Sequence, residues 1–448
     1  MLVHPVIVRS CACAIDAAVS EPDVRGRLAA AAVEGPELLR RFAGISDGRG
    51  EQGRDHPVAA VLTLCAAAVL AGMRSFTAIA GWITDVPTEL LAVLYPQAPR
   101  PPAGPSKTTL WRVLTGIDAG AVDVAIGSWL AEQARGRHAA TAAHTPTAAR
   151  APDTEGADPD ETDETDRADE TDETEGADET EGALLAVAVD GKTVRGAVAA
   201  DGTQVHLLAA ATHGEQLVLG QVEVGAKTNE IPMFAPLIDQ LTATGIDPAR
   251  LVITADALHC QRDHATYLHQ RGAGFVFTVK HNQPGLFAAL DALPWTDTPI
   301  AHRQVDRGHG RITTRTIQVR PAPPELPFPH VNQVWLIERY VTDTTGTPTS
   351  AIAALGVTNL LTDQAGPADL AGFVRDHWGI ESLHWLRDTN YNEDHSRART
   401  GSGPRVMASL RNLTIGTLHL AGRRDIAEAT RWLGRNILRP FQLLGITP

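Results

Sequence analysis

Between Leu184 and Lys280, short apolar runs alternate with helix-length segments, and this pattern constrains the fold more than any other feature of the chain. The runs are LLAVAVDG, HLLAAATH, LVLGQVEV, LVITADA and FVFTVK. Each is too short for a typical helix, and most are too continuously apolar for a strand with one solvated face. Ile231 to Thr244 and Asp263 to Gln270 have helical character. Alternation of this kind predicts an α/β sheet with helices packed on it.

A helical region precedes the predicted sheet. Residues 56–82 are rich in Ala, Leu and Val, and they predict buried helices broken near Gly72. Ser106 to Leu130 predicts two more helices, the first of them capped by Ser106. We therefore expect a small all-α domain over residues 36–135, after a poorly specified N-terminus at 1–35.

Residues 151–182 form an acidic, low-complexity run that holds 16 of the 53 Asp and Glu residues and one basic residue, Arg167. The net charge of -14 is concentrated there, since 37 acidic and 38 basic residues remain elsewhere. A near-neutral body neither supports nor excludes a nucleic-acid partner. The run cannot bury enough apolar surface to offset its ordering entropy, so we predict a disordered linker at 136–182. It serves either as a solvated spacer or as a metal-sequestering or DNA-mimicking segment.

The four cysteines have neither zinc-site spacing nor the density of a disulfide framework: Cys11, Cys13, Cys65 and Cys260. A reducing cytoplasm is therefore expected. No uninterrupted apolar run of about 18 residues predicts a membrane span, so no membrane partner is expected.

The last third of the chain changes character twice. Residues 302–340 alternate β-type segments with Pro-rich turns, which predicts a β-rich insertion at about 295–345. From about Pro367 the pattern is helical again. We assign 183–425 to one α/β domain with this insertion, followed by a C-terminal tail helix at 426–448.

Two aspartates end apolar strands of the predicted sheet. Asp190 follows LLAVAV and Asp256 follows LVITA. Buried strands hold such side chains rigidly while the carboxylates face a crevice at the sheet edge. Crowded carboxylates repel one another unless a cation joins them, and Mg²⁺ favours such hard oxygen ligands. Two of them can hold a pair of metal ions about 4 Å apart for in-line attack on a phosphodiester. A lone strand-ending Asp is more often a cap or turn residue.

A third carboxylate lies in RDHWGIESLHWLRD (375–388), which we place on one helix. Four polar side chains then fall within about 60° of one another: His377, Glu381, His384 and Asp388. Apolar side chains border this stripe on both sides: Phe373, Ile380, Val374, Trp378 and Trp385. We predict that the helix crosses a buried acidic site and that Glu381 is the third metal-binding carboxylate. An ordinary surface helix with i,i+4 polar pairs is the alternative.

The chain resembles a known family at these residues. The matching stretches are GRDHPVAAVLTLCAAAVLAGMRSFTAIAGW, PSKTTLWRVL, VAVDGKTVRGA, KTNEIP, VITADALHCQ, FTVKHNQP, DRGHGRITTR and HWGIESLHWLRDTNYNEDHSRAR. They are similar to the H-repeat-associated proteins, DDE insertion-sequence transposases with an associated N-terminal domain, and cover roughly residues 45–130 and 184–420. The resemblance implies an RNase H-like core and a catalytic triad of Asp190, Asp256 and Glu381.

The same resemblance implies a function. We expect Mg²⁺ or Mn²⁺, as two ions, to support DNA strand cleavage and strand transfer at the ends of a bacterial insertion sequence. The expected partners are double-stranded DNA, as terminal inverted repeats and target, and further copies of the chain in a homodimer or higher oligomer. The expected location is the bacterial cytoplasm, in association with the nucleoid. A nuclease without strand transfer and an inactive or domesticated DNA-binding remnant remain alternatives.

Basic and polar side chains near the acids are candidates for DNA contact. Gly191 and Gly196 suggest a turn close to substrate in DGKTVRG, and the Gly-containing segment 306–315 suggests another. Solvated turns with no DNA contact are equally compatible with these sequences. The candidates are Lys192, Arg195, Lys280, Asn282, Arg307, Arg311, His377 and His384.

Overall fold

The computed structural model describes residues 36–50, 54–96, 103–143, 184–198, 202–225, 228–308 and 310–447, without the side chains of 138–143. The predicted N-terminal segment 1–35 and the acidic run lie outside these residues. The helix that precedes the predicted linker continues to Ala143, past the predicted boundary at residue 136.

The described strands form one nine-stranded sheet within a mixed α/β structure, in the order β3-β2-β1-β4-β5-β9-β8-β7-β6. Strands β1, β4 and β5 run parallel, whereas β2, β3 and β9 are antiparallel to their neighbours. The strands are β1 Leu185–Val198, β2 Gln204–Thr212, β3 Val218–Val224, β4 Leu251–Ala255, β5 Gly274–Val279, β6 His302–Gly308, β7 Arg311–Pro321, β8 Gln333–Asp343 and β9 Pro348–Thr358.

The first five strands follow the apolar runs of the sequence closely. All residues of β4 and nearly all of β5 are buried, as expected for parallel strands covered on both faces. The predicted helices between them are also present, as α7 Phe234–Ala243 and α8 Arg262–Gln270. A third helix, α9 Pro284–Asp291, follows β5.

The predicted β-rich insertion is longer than expected and is continuous with the main sheet. Its strands run from His302 to Thr358, beyond the predicted end near 345, because β9 pairs with β5 on one side and β8 on the other. Only Leu355–Thr358 of β9 pairs with β5. The remainder of β9, together with its neighbours, therefore projects past the carboxyl end of β5 as a long β-arm.

Six helices occupy the described part of the chain before β1. They are α1 Glu37–Ala43, α2 Val58–Leu70, α3 Phe76–Ile83, α4 Thr88–Leu94, α5 Lys107–Gly116 and α6 Ala119–Ala143. Gly72 separates α2 from α3 with a φ of 91°, which agrees with the predicted break. The Oγ atom of Ser106 accepts a hydrogen bond from the backbone N–H of Thr109 at 3.2 Å, as predicted for a helix cap.

These helices share one hydrophobic core with the sheet and with the helices that follow it. Gly127 lets α6 lie directly on β3, since a Cβ at this position would be 2.1 Å from the carbonyl oxygen of Leu219. The helices after β9 are α10 Pro367–Asp376, α11 Gly379–Tyr391, α12 Gly403–Leu420, α13 Ile426–Gly434 and α14 Leu438–Leu443. The predicted tail helix is thus two short helices, and Phe441 stacks on Trp82 of α3.

Among the described residues, no single helix has both the length and the apolar character needed to cross a membrane. Two pairs of consecutive helices have the required length and apolar character only when each pair is taken together, and the pairs bend by 113° and 91° at the break between their helices.

Candidate active site

Asp190 and Asp256 occupy equivalent positions on neighbouring parallel strands. The last parallel pair between β1 and β4 is Val189 with Ala255, so each aspartate directly follows the last residue of its strand that takes part in this pairing. Adjacent strands lie about 4.8 Å apart. The two acids therefore emerge side by side at the carboxyl edge of β4, as the sequence predicted.

The surroundings of Asp190 differ from the prediction in one respect. It does not end its strand, since β1 continues to Val198 by pairing with β2, and Asp190 itself pairs with Ala209. The predicted turn in DGKTVRG is therefore wrong. The two glycines permit close packing: a Cβ on Gly191 would lie 2.1 Å from Oε1 of Glu230, and one on Gly196 would lie 2.5 Å from the carbonyl oxygen of Ser396.

The single helix predicted over 375–388 is broken. Helix α10 ends at Asp376 and α11 begins at Gly379, with His377 and Trp378 in the turn between them. Glu381 lies in the first turn of α11. The expected apolar wall on one side is wrong, because Trp378 and Trp385 are 65% and 63% exposed. With Glu381, these indoles line a hollow of about 400 Å³.

The three predicted acids lie close enough for their charges to interact. Partial burial raises the pKa of Glu381, and the negative charges of Asp190 and Asp256 raise it further. This mutual repulsion is the condition that a cation between the carboxylates would relieve.

Two histidines lie against these acids. The Nδ1 atom of buried His384 is 3.3 Å from Oδ2 of Asp190. The Nδ1 atom of His377 is 3.0 Å from Oγ1 of Thr254 on β4. Burial lowers the pKa of both imidazoles, which is partly opposed by the charge of Asp190. The DNA contacts predicted for His377 and His384 stay predictions.

The donor chemistry suits a hard divalent cation, since Asp190 and Asp256 supply carboxylate oxygens from adjacent positions, each one residue past the paired segment of β1 and β4. Among the described residues, no group of three or more His, Cys, Asp or Glu side chains lies at metal-binding distances.

The family model described as "Transposase DDE domain" matches residues 182–415, and the model described as "DDE_Tnp_1-associated" matches residues 39–130. The chain belongs to the transposase DDE domain family. The resemblance noted from the sequence motifs is therefore confirmed.

Individual relatives agree with this membership. The chain is 29% identical over 245 residues to "Putative transposase YncI" of Escherichia coli O157:H7, covering 52% of this chain and 61% of that protein. It is 27% identical over 256 residues to "H repeat-associated putative transposase YhhI" of Escherichia coli K12, covering 52% and 63%. The chain thus spans less than two thirds of the length of these relatives. A piggyBac transposase synaptic complex with hairpin DNA aligns with a TM-score of 0.32 at 12% identity, covering 57% of this chain and 52% of that one.

Within the DDE domain, the predicted DNA-contact residues of β1 are held by acidic side chains. The Nζ atom of Lys192 lies 2.6 Å from Oδ2 of Asp388 and 3.7 Å from Oδ1 of Asp394. Arg195 is exposed, and its Nε atom is 3.6 Å from Oδ2 of Asp394. Lys192 therefore ties β1 to α11, and a DNA contact would have to compete with this ion pair.

The other predicted DNA contacts lie at the same edge of the sheet. Lys280 is exposed directly after β5, and Asn282 donates a hydrogen bond to the carbonyl oxygen of Ala257 beside Asp256. Arg307 and Arg311 are exposed at the β6–β7 turn of the β-arm. The Gly-containing turn predicted there is present, with Gly310 at a φ of 71°.

The sequence analysis missed a cluster on the other face of β1. Glu230 accepts hydrogen bonds from Nε2 of His206 at 2.8 Å and from Nε2 of His259 at 3.1 Å. The available signal was Glu230 within the matching stretch KTNEIP. Its partners could not be identified, because they lie 24 and 29 residues away in the chain.

Proposed function

We propose that this protein is a DNA transposase that uses Asp190, Asp256 and Glu381 to cleave strands at the ends of a bacterial insertion sequence and to join them to target DNA. The observation that carries the proposal is the register of β1 and β4, which sets two aspartates side by side. Membership of the transposase DDE domain family supports it.

The arrangement of the central strands supports an RNase H-like core. Three antiparallel strands, β3-β2-β1, are followed by the parallel strands β4 and β5. In this sheet, the carboxyl ends of β4 and β5 and the point where β1 stops pairing with β4 meet at one edge, which is where substrates of open α/β sheets bind. The helices before β1 lie largely in the segment matched by the model described as "DDE_Tnp_1-associated", and we propose that they assist in binding the element ends.

The chemistry proposed for the site assigns different roles to the three acids. Asp190 and Asp256 hold one or two Mg²⁺ or Mn²⁺ ions. When bound, these metals supply Lewis-acid chemistry for in-line displacement at phosphorus. Glu381 completes the site, and its raised pKa suits it to take up a proton from the attacking hydroxyl group.

Surface features around the acids support DNA as the substrate. Lys280 lies at the acidic edge of the sheet, and the β-arm carries Arg307 and Arg311 beyond that edge. Basic side chains in these places suit contacts with phosphates on either side of the scissile bond. The exposed faces of Trp378 and Trp385 beside Glu381 suit contacts with bases that leave the duplex.

The decisive experiment incubates the protein with Mg²⁺, labelled DNA that carries the element ends, and a target plasmid. We expect cleaved ends and joined products with the wild type. Asp190→Asn, Asp256→Asn and Glu381→Gln should each lower both by at least about 100-fold, while Asp239→Asn serves as a control. Asp239 accepts from Tyr267 and Arg271 on the outer side of α7.

Products of this reaction separate the alternatives. Cleavage without joined product would favour a nuclease. End binding without cleavage, unchanged in Asp256→Asn, would favour an inactive or domesticated DNA-binding remnant.

A further inference from the structure

A single carboxylate connects the elements that carry the two aspartates. Glu230 lies just before the 3-10 turn Ile231–Met233 and accepts from His206 on β2 and from His259, three residues after Asp256. Its side chain is 18% exposed, and that of His259 is 1% exposed. The contact therefore lies inside the structure, where a charged hydrogen bond has fixed geometry.

Gly191 extends this connection to β1. A Cβ at this position would lie 2.1 Å from Oε1 of Glu230 and 2.8 Å from Nε2 of His206. Only a residue without a side chain lets the carboxylate lie against the strand at the position directly after Asp190. Glu230 thus contacts β1, β2 and the turn after β4 at once.

Both histidines that donate to Glu230 are themselves held in place. Nδ1 of His206 lies 2.8 Å from Oγ1 of Thr193 on β1. His259 accepts at its carbonyl oxygen from Nδ1 of His264 at 3.0 Å. Burial raises the pKa of Glu230, but the hydrogen bonds from His206 and His259 outweigh this effect and bring it to about 2. The carboxylate is therefore ionised throughout the neutral range.

Backbone pairing alone does not hold Asp256 at a fixed distance from Asp190. The parallel ladder ends with Val189 and Ala255. Beyond this pair, β1 continues along β2, whereas the segment after β4 turns away from β1. Asp256 begins that turn, and its Oδ1 accepts from the N–H of Leu258 at 2.9 Å. Beyond the ladder, Glu230 joins the turn to β1 and β2 through His259.

We propose that Glu230 is a positioning residue that sets the separation of the Asp190 and Asp256 carboxylates by holding the His259 turn against β1 and β2. This inference rests on the proposed function, in which the two aspartates bind the metal. Residues that orient metal ligands without touching the metal commonly change metal affinity by 10- to 100-fold when they are replaced.

The test measures Mn²⁺ binding by electron paramagnetic resonance of the free ion, with full-length protein and no DNA. Glu230→Gln should weaken Mn²⁺ binding by about 10-fold, because each histidine donates to a different oxygen of Glu230 and the amide nitrogen that replaces one oxygen cannot accept. His206→Leu removes one of the two donors and should weaken binding by a smaller factor. This milder variant keeps the test usable if Glu230→Gln does not fold.

Asp239→Asn is the matched control. It removes the carboxylate that accepts from Tyr267 and Arg271, outside the acidic site, so it should lower Tm without changing Mn²⁺ binding. Wild-type Mn²⁺ affinity in both Glu230→Gln and His206→Leu would overturn the inference, as would equal weakening in Asp239→Asn. Asp190→Asn separates a failure of the proposed function from a failure of the inference about Glu230. If Asp190→Asn leaves Mn²⁺ binding unchanged, the proposed function fails together with this inference. If it abolishes binding while Glu230→Gln does not weaken it, only the inference fails.

Discussion

Glu393 is buried between two arginines that join α11 to α12, and its replacement allows a quantitative test of the fold. Its Oε2 lies 2.8 Å from Nη2 of Arg387, and its Oε1 lies 2.9 Å from Nη1 of Arg411. All three side chains are at most 1% exposed. Glu393→Gln leaves two buried guanidinium groups without a counter-charge, which costs about 3–5 kcal/mol of unfolding free energy.

The pKa of Glu393 gives a second estimate of this stabilisation. Burial raises the pKa, but the charges of Arg387 and Arg411 outweigh burial and lower it from 4.5 to about 2. This difference corresponds to about 3 kcal/mol. Since the folded-state pKa lies below the unfolded one, the stabilisation is complete above pH 4.5 and is lost as the pH falls toward 2.

Urea unfolding followed by circular dichroism at several pH values measures both effects. At pH 7, Glu393→Gln should be less stable than wild type by about 3–5 kcal/mol, and the difference should shrink below pH 4.5. Glu325→Gln, at an exposed position, is the control and should change stability by no more than about 0.5 kcal/mol. A Glu393→Gln protein as stable as this control at pH 7 would refute the reasoning.

Three further predictions concern close packing and protonation. Gly127→Ala should destabilise the protein by about 1–3 kcal/mol in urea unfolding, because the new Cβ would meet the Leu219 carbonyl oxygen. Gly136→Ala on the same helix meets nothing within 4 Å and should be neutral or stabilising; equal losses in both would contradict the docking of α6 on β3. Burial lowers the pKa of His419 to about 4, so the unfolded chain binds a proton at this residue between pH 6.5 and 4 while the folded protein does not, and the folded protein loses stability over this range. His419→Gln should reduce this loss in urea unfolding at several pH values. An unchanged dependence of stability on pH would count against this reasoning. Gly191→Ala should weaken Mn²⁺ binding by about 10-fold, since its Cβ would displace Glu230; unchanged binding would show that the contact has no such role.

The sequence predicted those parts of the fold that local patterns encode. The apolar runs before Asp190 and Asp256 gave β1 and β4 because uninterrupted apolar residues suit strands buried on both faces. The break at Gly72 and the cap at Ser106 were likewise local signals. The position of Asp190 beside Asp256 followed from the parallel arrangement of β1 and β4, whose last pair is Val189 with Ala255.

The features that the sequence analysis missed depend on partners distant in the chain. The Ala-, Ser- and Thr-rich strand β9 has weak alternation, and it is fixed by pairing with β5 and β8. The helical periodicity of 375–388 continues through His377 and Trp378, so it could not reveal the break between α10 and α11. Ion pairs inside the structure likewise join residues that are far apart in the chain, such as Arg405 and Asp123.

The central claim is that Asp190 and Asp256 share a divalent metal ion. Its most direct test is an anomalous difference map from crystals grown with Mn²⁺ and DNA that carries the element ends. We predict a manganese peak bound by the carboxylates of both aspartates, with Glu381 moved toward it from the first turn of α11. Manganese bound elsewhere, or an empty space between the two aspartates under conditions that support cleavage, would contradict the account.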